Sequence, residues 1–187
     1  MNSKQLPVPK TKKQRILFLA GFTALLIGAG ILLLFGIRKA NRLLQKHQLL
    51  RENPVVEITA LNIKAPVLEG TDQQTIAKAA GHFIGTGDFG KGNYCIAAHS
   101  SPLYKEYFNA LKDVETGMTI TLYDQQKNRY EYTVSDSFFV RPDQTEVLND
   151  FGDDRITLIT CNDDGTQRLV VTGIYGNRMQ EIKSRLK

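Results

Sequence analysis

Residues 16–37, ILFLAGFTALLIGAGILLLFGI, make a run of 22 residues without a charge. As an α-helix rising 1.5 Å per residue the run reaches about 33 Å, against the ~30 Å of hydrocarbon that a bilayer span must cross. A buried core helix is the alternative, but it would have to be apolar on every face in a chain with a small core. A cleavable signal peptide carries an apolar region of only about 7–15 residues ending at a small-x-small site. The run is therefore expected to be an uncleaved transmembrane signal-anchor. It divides the chain into a basic tail (1–15), the span (16–37), a stalk (38–53) and one domain (54–187), the last being of ordinary single-domain size.

The formal net charge of +5 is not spread evenly. Residues 1–53 hold ten Lys/Arg against one acid, Glu52, whereas residues 54–187 hold 14 basic and 18 acidic side chains. The domain is thus mildly acidic, which argues against a nucleic-acid surface; the basic segments suit anionic membrane lipid instead. Five basic residues precede the span and five follow it, so the positive-inside rule is tied. The short tail favours a cytoplasmic amino terminus with the domain outside the cell membrane. Leu43, Leu44, Leu49 and Leu50 between charges predict a helical stalk continuing from the span.

After Pro54 short β-rich runs alternate with turn residues, which predicts a mostly β domain. Strands are expected near 55–60 and 62–68, a short helix at 72–80, and a turn-rich stretch from Gly81 to Gly92. The nearly unbroken apolar run 93–99 reads as a central strand buried on both faces. A helical pattern follows at 104–112, then a hairpin, 118–124 with 129–135, extended by 138–140. Residues 142–151 form a loop with one helical turn, followed by strands 155–161 and 167–174 and a basic helix at 177–187. So many short strands avoid open edges best in a closed barrel with helices packed outside.

Two cysteines are too few for a disulfide framework, so each is judged by its surroundings. Cys161 ends an apolar strand where the sequence turns polar; His99 ends another; Arg168 opens the strand after Cys161. A thiol that attacks an amide needs a base and a cationic or N–H donor for the oxyanion, and His99 and Arg168 have the chemistry for those roles. Buried structural cysteine, hydrogen-bonded histidine and solvated arginine are the plain alternatives. Cys95 lies four residues from His99 on the same strand, roughly 13 Å at ~3.3 Å per residue, and is taken as core. His82, after the expected helix, is taken as a capping residue.

The segment Thr157-Leu158-Ile159-Thr160-Cys161, with Arg168 seven residues on, resembles the sortase signature TLxTC…R. Ala97-Ala98-His99 is similar to that family's histidine motif, although Ala98 stands where glycine is common. Residues 81–93 resemble the segment leading into it. The resemblance, most like class A, implies an eight-stranded barrel, Cys161 as nucleophile, His99 as general acid/base and Arg168 as the oxyanion-stabilising or substrate-positioning cation. Thr160, with Ala98 and Ile159, would line the substrate site. The family acts on surface proteins carrying an LPxTG-like sorting signal, cleaving Thr–Gly and passing the thioester to an amine of peptidoglycan precursor or of pilin. Cell-wall attachment is favoured, because residues 53–70 lack an Asp-Pro-aromatic lid and the carboxyl end is charged. The loop 141–154 is expected to grip the Leu-Pro part of the signal. No cofactor or metal is expected: Glu146, Asp150, Asp153 and Asp154 are a candidate calcium set, as in some sortases, but read better as a solvated acidic loop.

Overall fold

The computed structural model describes residues 11–100 and 107–176. The tail before residue 11 and the expected helix 177–187 lie outside the described residues, as does the first part of the expected helix 104–112. Two compact units emerge, residues 1–45 and 46–187. The apolar run lies within α1 (Lys12–Glu52), a 41-residue helix that continues unbroken into the stalk residues and is long and apolar enough to cross a membrane.

Eight strands close into a barrel: β1 (Val55–Ile58), β2 (Ile63–Glu69), β3 (Ala80–His82), β4 (Asn93–Ala97), β5 (Thr119–Tyr123), β6 (Arg129–Val140), β7 (Arg155–Cys161) and β8 (Arg168–Tyr175). Their order around the barrel is β1-β2-β3-β4-β7-β8-β6-β5. Most neighbours are antiparallel, but β2–β3 and β4–β7 run parallel. Closure leaves no strand edge open, as the many short apolar runs required. Local chemistry sets the turns between them. The first expected strand stops at Ile58, two residues early, because the chain makes a 3-10 turn and reverses through Asn62 in the left-handed region (φ 53°). Asn tolerates that conformation better than most residues.

Two expectations in this region need correction. The helix predicted at 72–80 is the single turn α2 (Gln73–Ile76), capped by Asp72, whose carboxylate accepts from the Gln74 and Thr75 N–H groups. Residues 80–82, read as helix end and turn, are β3. A three-residue strand carries too little alternation to announce itself, and it forms because β2 offers a parallel ladder pairing Leu68 with Gly81. His82 therefore caps no helix. The strand expected to reach His99 ends at Ala97, and the hairpin's second arm runs on as one 12-residue strand, β6, with a register shift between Val134 and Asp136.

Strand alternation sorts the two faces of the wall that carries the site. Tyr94 and Ile96 on β4, Ile156 and Leu158 on β7, and Leu169 and Val171 on β8 belong to the interior core with Tyr132, Val134, Ile120 and Leu122. Cys95, Thr157, Ile159 and Val170 alternate with them and face out of the barrel, yet are buried. Something must therefore cover this outer face.

Glycine at position 81 lets β3 approach the backbone of Gly70: a Cβ there would lie 2.2 Å from the Gly70 carbonyl oxygen. Gly81→Ala is expected to cost about 1–3 kcal/mol, the usual range for overpacking. The measurement is a urea titration, in which the midpoint should fall while the m-value stays constant.

Candidate active site

The β4–β7 parallel ladder pairs Ala97 with Ile159, so the carboxyl ends of both strands emerge at one end of the barrel. His99 follows two residues after the first end, and Cys161 is the last residue of the second. Antiparallel β8 begins where β7 ends and sets Arg168 directly opposite Cys161. Opposed residues in such a ladder place their Cβ atoms on one face, about 4.5–5.5 Å apart. Next to β8, β6 terminates at the same end with Val140 opposite Arg168, and the loop to β7 starts there.

These elements enclose a cleft of about 330 Å³. Cys161, His99 and Arg168 all line it, as do Thr160, Ala98 and Ile159. Its other walls are mainly apolar: Val140, Pro142, Val147 and Leu148 come from the β6–β7 loop region, Ile76 from α2 and Phe83 from the loop after β3. The expected loop 141–154 thus contributes to the cleft. Ile76 and Phe83 were not anticipated, since nothing in their local sequence marks a cleft; β3 brings Phe83 there and was itself unread.

Backbone and side-chain bonds fix the floor. Ala98 N–H donates to the Ile159 carbonyl (3.1 Å), and the buried Thr160 hydroxyl donates back to the Ala98 carbonyl (2.8 Å). The Phe108 N–H donates to the His99 carbonyl (3.2 Å). Arg168 is steadied through Nη1, which donates to the Gln167 and Gly165 carbonyls at 3.1 and 3.3 Å. The turn joining β7 and β8 is closed by Asn162, whose Oδ1 accepts from Gln167 N–H (3.0 Å), and by Asp164, whose Oδ1 accepts from the Thr166 hydroxyl and N–H. Those bonds, the Thr166 hydroxyl foremost, hold the Asp164 carboxyl below its ordinary range.

His82 is built into structure. Its Nδ1 meets both Glu69 carboxylate oxygens (3.0 and 3.1 Å), its Nε2 meets the Thr86 hydroxyl (3.1 Å), and its ring stacks on Tyr94 at 4.1 Å. Both ring nitrogens are engaged, and His82 is not among the residues that line the cleft with Cys161. Three of the four acids of the candidate calcium set have partners within the protein: Asp150 accepts from Gly152 N–H, Asp153 pairs with Arg155, and Asp154 accepts from Gly92 N–H. Among the described residues no three His, Cys, Asp or Glu side chains gather as a ligand set.

A sortase-domain family model matches residues 56–174, nearly the whole barrel. The chain belongs to the sortase family. Sortase A of Bacillus anthracis is 35% identical over 136 residues, covering 72% of this chain and 63% of that protein. Sortase A of Listeria monocytogenes is 30% identical over 120 residues, covering 63% and 54%. The chain therefore spans less than two thirds of the length of the curated relatives it matches. Among solved structures, that of Listeria sortase A superposes with a TM-score of 0.63 at 27% identity, covering 67% of this chain and 88% of the other. The pilus-related sortase C of Group B Streptococcus gives 0.61 at 28% identity, covering 67% and 68%.

The two thiols differ in setting. Both are free; Cys161 is half-buried, while Cys95 is fully buried and burial pushes its thiol up to about 11. Because the thiolate is the reactive form, Cys95 stays inert at pH 8 in the folded chain. Iodoacetamide counted by mass spectrometry should add one label to the native protein, on Cys161, and two after denaturation. Equal labelling of both thiols in the native chain would contradict this difference.

Proposed function

We propose that the chain is a membrane-anchored cysteine transpeptidase that cleaves an LPxTG-like sorting signal between Thr and Gly and transfers the carried protein to an amine, favouring that of a cell-wall precursor over a pilin lysine. The observation that carries this is the convergence of Cys161, His99 and Arg168 on one apolar-walled cleft. Family membership supports the reaction class, and α1 supports an anchored chain. In the proposed orientation the amino terminus is cytoplasmic and the barrel is extracellular.

The apolar walls receive the Leu-Pro part of the signal, and its Thr carbonyl lies over Cys161. The Cys161 thiolate attacks that carbon. Arg168, with N–H donors on Nε and Nη2 beyond those it gives to backbone carbonyls, faces the oxyanion as negative charge develops there. His99 gives a proton to the leaving glycine nitrogen, the C–N bond breaks, and a thioester to Cys161 remains. An incoming amine attacks the thioester and His99 takes its proton. The C–S bond breaks, the thiolate is regenerated and a new amide is left.

Full-length protein in detergent micelles, incubated with LPxTG-like peptides and a panel of primary amines, tests this directly. The wild-type chain should show a mass increase equal to the acyl fragment and form the amine adduct; Cys161→Ala should show neither. Absence of product across signals and amines would overturn the transpeptidase assignment.

The supporting residues should separate by kinetics. His99→Ala is expected to lower turnover about 10²–10⁴-fold, the range for loss of a general acid/base. Arg168→Ala is expected to lower kcat about 10²–10³-fold, as for loss of an oxyanion donor.

A further inference from the structure

The β6–β7 loop carries much of the cleft wall, yet none of residues 141–152 is buried and only Val147 and Leu148 are half-buried. Hydrogen bonds from Leu148 N–H to the Thr145 carbonyl and from Asn149 N–H to the Glu146 carbonyl shape a 3-10 turn without tying it to the barrel. The tie comes from beneath. Asn93, the first residue of β4 and only 1% exposed, donates from Nδ2 to the carbonyls of Val147 (2.9 Å) and Asn149 (2.8 Å). Its Oδ1 accepts from the Thr157 hydroxyl on β7 (2.6 Å), which fixes which amide atom faces the loop.

We propose that Asn93 is the positioning residue for the sorting signal: its buried carboxamide clamps the 146–148 turn so that Val147 and Leu148 stand in the cleft before substrate arrives. The side chain is not at the cleft and touches no reacting group. By strand alternation it lies on the same face of β4 as Cys95 and Ala97, the outer face that the loop covers. It joins three parts of the site: β4, which leads to His99; β7, which ends in Cys161; and the loop wall between them. A wall held in place beforehand spares the signal the cost of ordering it, so the clamp acts on binding rather than on the chemical step. The inference rests on the cleft being the signal site.

Two isosteric substitutions separate the clamp from general stability. Asn93→Asp keeps an acceptor for Thr157 but turns a carboxylate toward two carbonyl oxygens. Thr157→Val breaks the other hydrogen bond of the same side chain and leaves both loop bonds intact. In full-length protein, Asn93→Asp should raise KM for an LPxTG-like peptide roughly 10–100-fold, as expected for two lost hydrogen bonds and added repulsion, with kcat within about twofold. Thr157→Val should leave KM within about twofold, whatever it does to the melting temperature. A KM unchanged in Asn93→Asp, or raised equally in both variants, overturns the proposal.

A wild-type measurement covers the case in which Asn93→Asp does not fold. The Asn93 side-chain amide, followed by ¹⁵N NMR, should exchange with solvent far more slowly than an exposed asparagine, and both its resonances should shift when Cys161→Ala protein binds the peptide. Exchange as fast as an exposed asparagine, or no shift on binding, overturns the clamp. If the wild-type protein neither binds nor turns over any signal peptide while the Asn93 amide is protected, the signal-site assignment fails instead.

Discussion

The parallel pairing of β4 with β7 is the constraint from which the rest of the site follows. Parallel strands end together, and two strands far apart in the chain thereby deliver His99 and Cys161 to one end of the barrel. Hydrogen-bonded antiparallel neighbours then bring Arg168 and the end of β6 to the same place. Both faces of this ladder are dry: the inner one packs on the barrel core, and the outer one lies beneath connecting segments. That double burial explains why β4 reads as a nearly continuous apolar run, with no clean two-residue alternation.

Such a ladder leaves its polar members in costly positions, and each is answered by a partner. Asn93 is the clearest case, with its carboxamide donating twice and accepting once in a fully buried setting. Thr160 returns a hydrogen bond to the Ala98 carbonyl, and on the neighbouring strand β3 His82 is held between Glu69 and Thr86 against the face of Tyr94. An unsatisfied buried amide or hydroxyl costs roughly 1–3 kcal/mol, so these partnerships specify register as well as stability. The cleft itself needs little polar structure. Its walls are mainly apolar side chains, and Arg141 and Arg168 enter at strand ends.

Much of this was legible beforehand because it depends on local chemistry. The uncharged run 16–37, the polar turn after Cys161 and the boundaries of β7 and β8 each follow from composition or periodicity within a few residues. The strands that misled are those whose existence depends on a partner. Residues 80–82 have no pattern of their own, and they become β3 because β2 lies alongside and Gly81 permits the approach. The short helix was overextended for the same reason: Asp72 marks its start clearly, but its end is imposed by the strand that follows. His82 was misassigned as a cap because its partners, Glu69 and Tyr94, are 13 and 12 positions away.

The amino-acid sequence by itself determined the long apolar helix, the mostly β class, the family and the placing of Cys161, His99 and Arg168 at or just beyond strand ends, because these rest on residue types in fixed local order. Only the tertiary structure decided that the cleft lies against the outer face of the barrel wall, that Phe83 and Ile76 help line it, and that Asn93 holds its loop. Those facts depend on which strands become neighbours and in which direction they run. Strand direction is settled by closure of the whole barrel, and no short stretch of sequence encodes it.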